Sequence, residues 1–134
     1  MAIKNLTTNK VIAVTSKVAN STLSRSLGLM FSKPQQTALV LKFPSERKIS
    51  LHMAFVFYPI DVLFVNKKNE ITDLKENFRP FTAYNSGKSA MYAIELPAGT
   101  IEKSKTKIGH KIGFLKVKHD FDTKNSRTIT IVKG

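Results

Sequence analysis

The chain has 134 residues, no cysteine, and 22 lysines and arginines against nine acidic residues, for a net charge of +13. That length suits one domain, which can bury enough surface to fold without covalent staples. The missing thiols exclude a disulfide framework, a thiolate metal site and a cysteine nucleophile.

The charge is uneven along the chain. Residues 1–45 hold Lys4, Lys10, Lys17, Arg25, Lys33 and Lys42 and no acid, giving +6. Residues 46–100 balance seven cations against six acids, and residues 101–134 set nine cations against Glu102, Asp120 and Asp122, again +6. If the two basic ends share a face, that face attracts polyanions. The plainer reading is a solvated lysine-rich surface, since arginine is the better reader of phosphate and bases.

In chain order, short apolar runs and period-two alternation predict strands. They fall at residues 10–15 (KVIAVT), 37–43 (TALVLKF, ended by Pro44), 48–55 (KISLHMAF) and 60–65 (IDVLFV). Residues 66–69 (NKKN) form a hairpin-type turn into a strand at 70–77. Further strands are expected at 90–96 (AMYAIEL), stopped by Pro97 and Gly99, at 111–119 (KIGFLKVKH) and at 127–132 (RTITIV). A short helix is expected within 20–31 and a single turn within 99–109, where Thr100 suits a cap and Glu102 the first turn. Residues 118–126 (KHDFDTKNS) read as a polar loop. The apolar run 55–65 is half the length of a membrane-spanning helix and contains Pro59 and Asp61. The N-terminus has no apolar stretch of signal-peptide type, so a cytoplasmic location is expected.

Several stretches resemble a prokaryotic family, domain of unknown function 192. Arg25-Ser26-Leu27-Gly28-Leu29-Met30 is similar to its R-x-x-G-L-M element. Residues 51–71 (LHMAFVFYPIDVLFVNKKNEI) resemble H-M-x-F-x-x-x-P-I-D-V-x-F with its following turn. FRPF (78–81) is similar to L-x-P-W with Phe81 in place of Trp, and 93–112 resembles E-L-P-A-G followed by I-x-x-G-D. The chain lacks the W-M-K-N-T sequence of other members, and His110 stands where the Asp is usual. The resemblance covers about residues 14–114. It implies a compact, mostly β single domain and no established activity.

Among candidate site residues Asp61 stands first. Both faces of its strand are apolar, and a buried carboxylate is costly unless paired. Arg25, Arg79, His52 and backbone N–H groups are its candidate partners. Glu95, among Ile94 and Leu96, is a second buried acid. Together the two carboxylates could perform acid–base work or hold a divalent cation if they share a wall. His52 reads as a packed or exposed strand histidine. His110 and His119 lack zinc-ligand spacing. Asn85-Ser86-Gly87-Lys88-Ser89 reads as a polar turn, because a phosphate loop needs a glycine where Thr82 stands. Gly28, Gly99 and Gly109 suit positive-φ turns, and Phe55, Phe57, Tyr58 and Phe64 read as core.

The expectation is a single mostly β domain over residues 1–134, an antiparallel barrel or jelly-roll-like sandwich with one or two short helices. Its expected role is a binding or interaction module with a basic surface. One alternative is a nucleic-acid-binding protein using Lys10, Lys17, Lys111, Lys116, Lys118 and Arg127. The other is a hydrolase or metal-dependent enzyme using Asp61, Glu95 and His52. No metal or cofactor is implied. A monomer and a homodimer both stay open, since residues 127–132 at a sheet edge could pair between chains.

Overall fold

The computed structural model describes residues 1–20, 37–121 and 127–133, with side-chain surroundings as far as Lys116. The helix expected within 20–31, with Arg25 and Gly28, therefore falls almost wholly outside the described residues.

The described chain forms three sheets and one short helix. The first sheet has the order β11-β10-β1-β2, from β1 (Ala2–Asn5), β2 (Lys10–Ala13), β10 (Ile112–Phe121) and β11 (Arg127–Lys133). The second has the order β3-β4-β9-β6-β7, from β3 (Ser16–Ala19), β4 (Ala38–Arg47), β6 (Ile60–Val65), β7 (Ile71–Phe78) and β9 (Ala90–Pro97). The third pairs β5 (Ser50–His52) with β8 (Ala83–Asn85). Helix α1 (Thr100–Ser104) follows β9.

The five-stranded sheet is the middle layer. One face packs Leu63, Val65, Ile94 and Leu96 against Ile3, Ile12 and Ile112 of the four-stranded sheet. The other packs Val62, Phe64, Leu41 and Ala93 against Ile49, Met53, Val56 and Phe78. Every residue of β6 is buried. A strand covered on both faces needs apolar residues at consecutive positions, which is why IDVLFV runs without alternation. No sheet closes on itself among the described residues, so the sandwich holds and the barrel does not.

Several local expectations shift. β1, β3 and β8 are too short to carry a periodic signal and were not expected. β3 and β4 run parallel, whereas only antiparallel pairing was anticipated. β4 continues past Pro44 to Arg47, with an irregular register between Lys42 and Arg47 that accommodates the missing N–H. The strand expected over 48–55 shrinks to β5, because the chain turns at Phe55 (φ 58°) and the Met53 carbonyl accepts the amides of Val56 and Phe81. Turning out of the sheet leaves Phe55 and Phe57 48% and 62% exposed, so of the four aromatics expected in the core Phe64 is fully buried and Tyr58 partly. Residues 118–121 continue β10 instead of opening the polar loop, paired residue for residue with β11.

Candidate functional site

Asp61 sits 1% exposed in the middle sheet and accepts three backbone hydrogen bonds. Oδ1 takes the Asn77 amide at 3.0 Å, and Oδ2 takes those of Gly99 at 3.1 Å and Ile101 at 3.0 Å. Two irregularities aim these donors. β7 bulges opposite Asp61: Ile60 pairs with Phe78 and Val62 with Lys75, so Glu76 and Asn77 together face one residue, with Asn77 at φ 49°. Gly99, at φ 90°, is the N-cap of α1 and has no side chain to satisfy the first turn. Asp61 supplies that missing acceptor from a neighbouring strand. A Cβ on Gly99 would meet nothing within 4 Å, so its positive φ, not space, is what calls for glycine there. Thr100, expected as the cap, lies inside the helix and donates its hydroxyl to the Pro97 carbonyl at 2.6 Å. The P-I-D-V and E-L-P-A-G stretches are thus two halves of one joint.

Glu95 behaves differently. It pairs with Val62 on one side and Leu39 on the other, whereas Asp61 pairs with Leu96. Cross-strand partners share a face and successive residues alternate, so Asp61 and Glu95 lie on opposite faces of the sheet. Glu95 is half-buried, yet its Oε2 is closed to solvent and has no hydrogen-bond partner among the described residues. Burial pushes its carboxyl from 4.5 up to about 7. His52 lies in the separate two-stranded sheet, exposed, with Nδ1 accepting the Ala54 amide at 3.3 Å. Asp61 and Glu95 therefore do not converge on one wall. No group of three or more His, Asp or Glu side chains suited to a metal ion occurs among the described residues.

Two further polar knots escaped the reading of the sequence. Asn5 is fully buried; its Oδ1 accepts the Thr7 and Thr8 amides, and its Nδ2 donates to Thr106 Oγ1 at 3.0 Å. His110 Nδ1 accepts the Lys107 amide at 3.2 Å, which makes it an acceptor toward Asn5 Nδ2 at 3.1 Å as well. It thereby does what a carboxylate at that position would do. The signal for Asn5 was the N-L-T-T-N-K turn that follows it, an Asx-type pattern. The second knot is Asp73, whose Oδ2 accepts Tyr84 Oη and the Gly87 amide, both at 2.8 Å. Burial, then the Asp73 hydrogen bond and its charge, push the Tyr84 phenol up. Ser86 Oγ accepts the Ile49 amide and donates to the Lys88 carbonyl. Residues 85–89 are the polar turn the sequence suggested, with the Gly87 amide committed to a carboxylate.

The cations separate by layer. The strands of the four-stranded sheet carry Lys4, Lys10, Lys116, Lys118, Arg127 and Lys133 against Asp120 alone. Those of the five-stranded sheet carry Lys17, Lys42, Arg47 and Lys75 against Glu46, Asp61, Asp73, Glu76 and Glu95. Of the expected anion-binding residues, Lys10, Lys111 and Lys116 are exposed on or beside the first sheet, and Lys118 and Arg127 occupy its strands. Lys17 is exposed on an edge strand of the second. No described helix is long and apolar enough to cross a membrane.

A layered β-sandwich with a backbone-capping aspartate and one cation-rich sheet is the class of protein these features define. The chain belongs to the DUF192 family, described as "Uncharacterized ACR", which it matches over residues 3–114. It is 37% identical over 110 residues to a UPF0127 protein of Thermococcus sibiricus, covering 81% of this chain and 71% of that one. A UPF0127 protein of Pyrococcus furiosus is 34% identical over 110 residues, covering 81% and 93%. Two crystal structures share the fold. A protein of unknown function from Novosphingobium aromaticivorans superposes with a TM-score of 0.73 at 16% identity, covering 84% of this chain and 82% of that one. A proposed transcription regulator from Sinorhizobium meliloti superposes with a TM-score of 0.75 at 22% identity, covering 83% and 88%. No specific biochemical function attaches to the family through these relatives.

Proposed function

We propose that the chain is a non-catalytic binding module that engages a polyanion through its four-stranded sheet. One observation carries this reading: β1 pairs with β10, which joins the basic N-terminal and C-terminal segments in a single sheet. That sheet holds six cations and one acid in its strands, while the neighbouring sheet holds four and five. Such a concentration of one sign steers a polyanion and binds it by releasing counterions. The opposite faces taken by Asp61 and Glu95 weigh against the hydrolase or metal-dependent alternative. A cytoplasmic location, where nucleic acid is at hand, suits the module, and cell fractionation checks it.

The test is binding to fluorescein-labelled heparin and DNA at 50 and 200 mM salt. Affinity should fall steeply with salt and fall further in the K10E/K111E variant. Affinity that ignores salt, or no binding to either polyanion, rejects the reading.

A further inference from the structure

Two connections build the third layer: residues 48–59 between β4 and β6, and residues 79–89 between β7 and β9. They are tied together at one buried residue. Met53 donates its amide to the Thr82 carbonyl at 2.7 Å, and its own carbonyl accepts the amides of Val56 at 3.2 Å and Phe81 at 2.8 Å. Each connection makes a tight turn at this tie. Residues 53–56 close on the hydrogen bond from Val56 to Met53. Residues 79–82 close on Thr82 Oγ1, which donates to the Arg79 carbonyl at 2.6 Å.

The third position of each turn holds a phenylalanine at positive φ, Phe55 at 58° and Phe81 at 59°. Glycine or asparagine is the relaxed residue there, because a bulky side chain is strained in the left-handed region. Both rings nevertheless stay at the surface, Phe55 48% and Phe81 61% exposed. Phe57, 62% exposed, meets Phe81 edge to face with ring centroids 5.4 Å apart. The two strained turns thus hold aromatic rings together at one exposed tip. Strain of this kind marks sites where the conformation serves a function.

We propose that this aromatic tip inserts into the interface of an anionic lipid bilayer, with Phe55, Phe57 and Phe81 entering the apolar region. Charge and area select that occupant. The two connections hold Lys48, His52, Arg79 and Lys88, all exposed, and no Asp or Glu. His52 and Arg79 lie within three residues of a tip phenylalanine, and Lys48 and Lys88 lie beyond the other end of the β5–β8 pair. A layer of one sign behind apolar rings suits negative headgroups. Three rings so exposed offer on the order of 350 Å², well under the ~800 Å² per partner of a stable protein interface. A bilayer needs no matching surface, and rings enter it for the apolar area they bury. The Phe57 and Phe81 planes stand 77° apart, so they do not give the parallel faces on which consecutive bases stack. The tip belongs to the third layer and not to the four-stranded sheet, so the proposal does not rest on the polyanion reading.

The test uses the full chain and vesicles of phosphatidylcholine, alone or with about 30% phosphatidylglycerol to supply the negative surface. The chain should sediment with the mixed vesicles and far less with the neutral ones. F55N/F81N gives both turns a residue that tolerates positive φ. It should raise the melting temperature, lower vesicle affinity at least tenfold and leave heparin binding unchanged. The chain has no tryptophan, so F57W provides a sole fluorescent reporter. Its emission should shift to the blue on the mixed vesicles and be quenched by lipids brominated in the upper acyl chain. Unshifted emission on bound vesicles would overturn insertion and reduce the contact to surface charge. Parental vesicle affinity in F55N/F81N would overturn it as well, and a lower melting temperature in that variant would mean that the rings serve the fold. Were F55N/F81N to lose binding to a single-stranded oligonucleotide, or a dimer in sedimentation, and not the vesicles, the tip would belong to nucleic acid or to a second copy. Failure to bind heparin with insertion intact would overturn the polyanion reading alone.

Discussion

The two large sheets spend their charges in opposite ways. In the five-stranded sheet the decisive charges are buried acids: Asp61 is consumed by three backbone amides, and Glu95 has an oxygen with no partner among the described residues. In the four-stranded sheet they are cations on or beside the strands, with Lys10, Lys111 and Lys116 open to solvent. The Asp61 carboxylate ties β6 to the β7 bulge and to the start of α1, and the cations of the other sheet face outward. The buried Asp61 carboxylate serves the structure, and the exposed cations form the surface proposed above for polyanion binding.

That contrast breaks most sharply at Asp61. Asp61→Ala leaves the Asn77, Gly99 and Ile101 amides without their acceptor, and should cost about 3–5 kcal/mol in urea unfolding. Asp61→Asn, which keeps one acceptor oxygen, should recover part of it. A loss no larger than that of an exposed substitution would return Asp61 to the candidate catalytic residues.

Glu95 should respond with the opposite sign. Between 4.5 and about 7 the folded chain holds a proton that the unfolded chain has released. Stability therefore declines as pH rises through that window, by a few kcal/mol once Glu95 is ionised in both states. Glu95→Gln should raise the melting temperature at pH 8 and leave it nearly unchanged at pH 4. A variant that gains nothing at pH 8 would mean that the carboxylate finds a cationic partner.

A smaller effect belongs to the knot that joins β1 to the loop after α1. Asn5→Ala removes the acceptor of two amides and a donor to Thr106 and His110, and should cost about 2 kcal/mol in the same unfolding experiment. His110→Asp, which keeps an acceptor for the Lys107 amide, should stay within about 1 kcal/mol of the parent. The binding variants complete the series at the low end: K10E/K111E should move stability by less than about 0.5 kcal/mol while weakening polyanion binding.

Much of the middle layer was legible beforehand. The unbroken apolar run of β6 announced a strand covered on both faces, and 66–69 announced the turn into β7. Asp61 read as a buried carboxylate needing partners, Arg25, Arg79, His52 or backbone N–H groups, because no apolar strand carries an unpaired charge cheaply. Its donors were not legible: Asn77 is delivered by a bulge, and Gly99 and Ile101 by a helix start 38 and 40 residues away. The strands β1 and β8 escaped because three or four residues show no period. The 118–121 segment misled because a two-stranded ribbon, unlike a core strand, tolerates Lys, His and Asp in succession.

By itself the sequence determined the class of the fold, the buried status of Asp61 and the basic character of both chain ends, since these follow from composition and from side-chain period. Tertiary structure alone decided that the ends join in one sheet and that Asp61 and Glu95 turn to opposite faces. The reason is register. A carboxylate's partners and a sheet's net charge depend on which residues stand side by side across strands, and that pairing is set only when both layers pack.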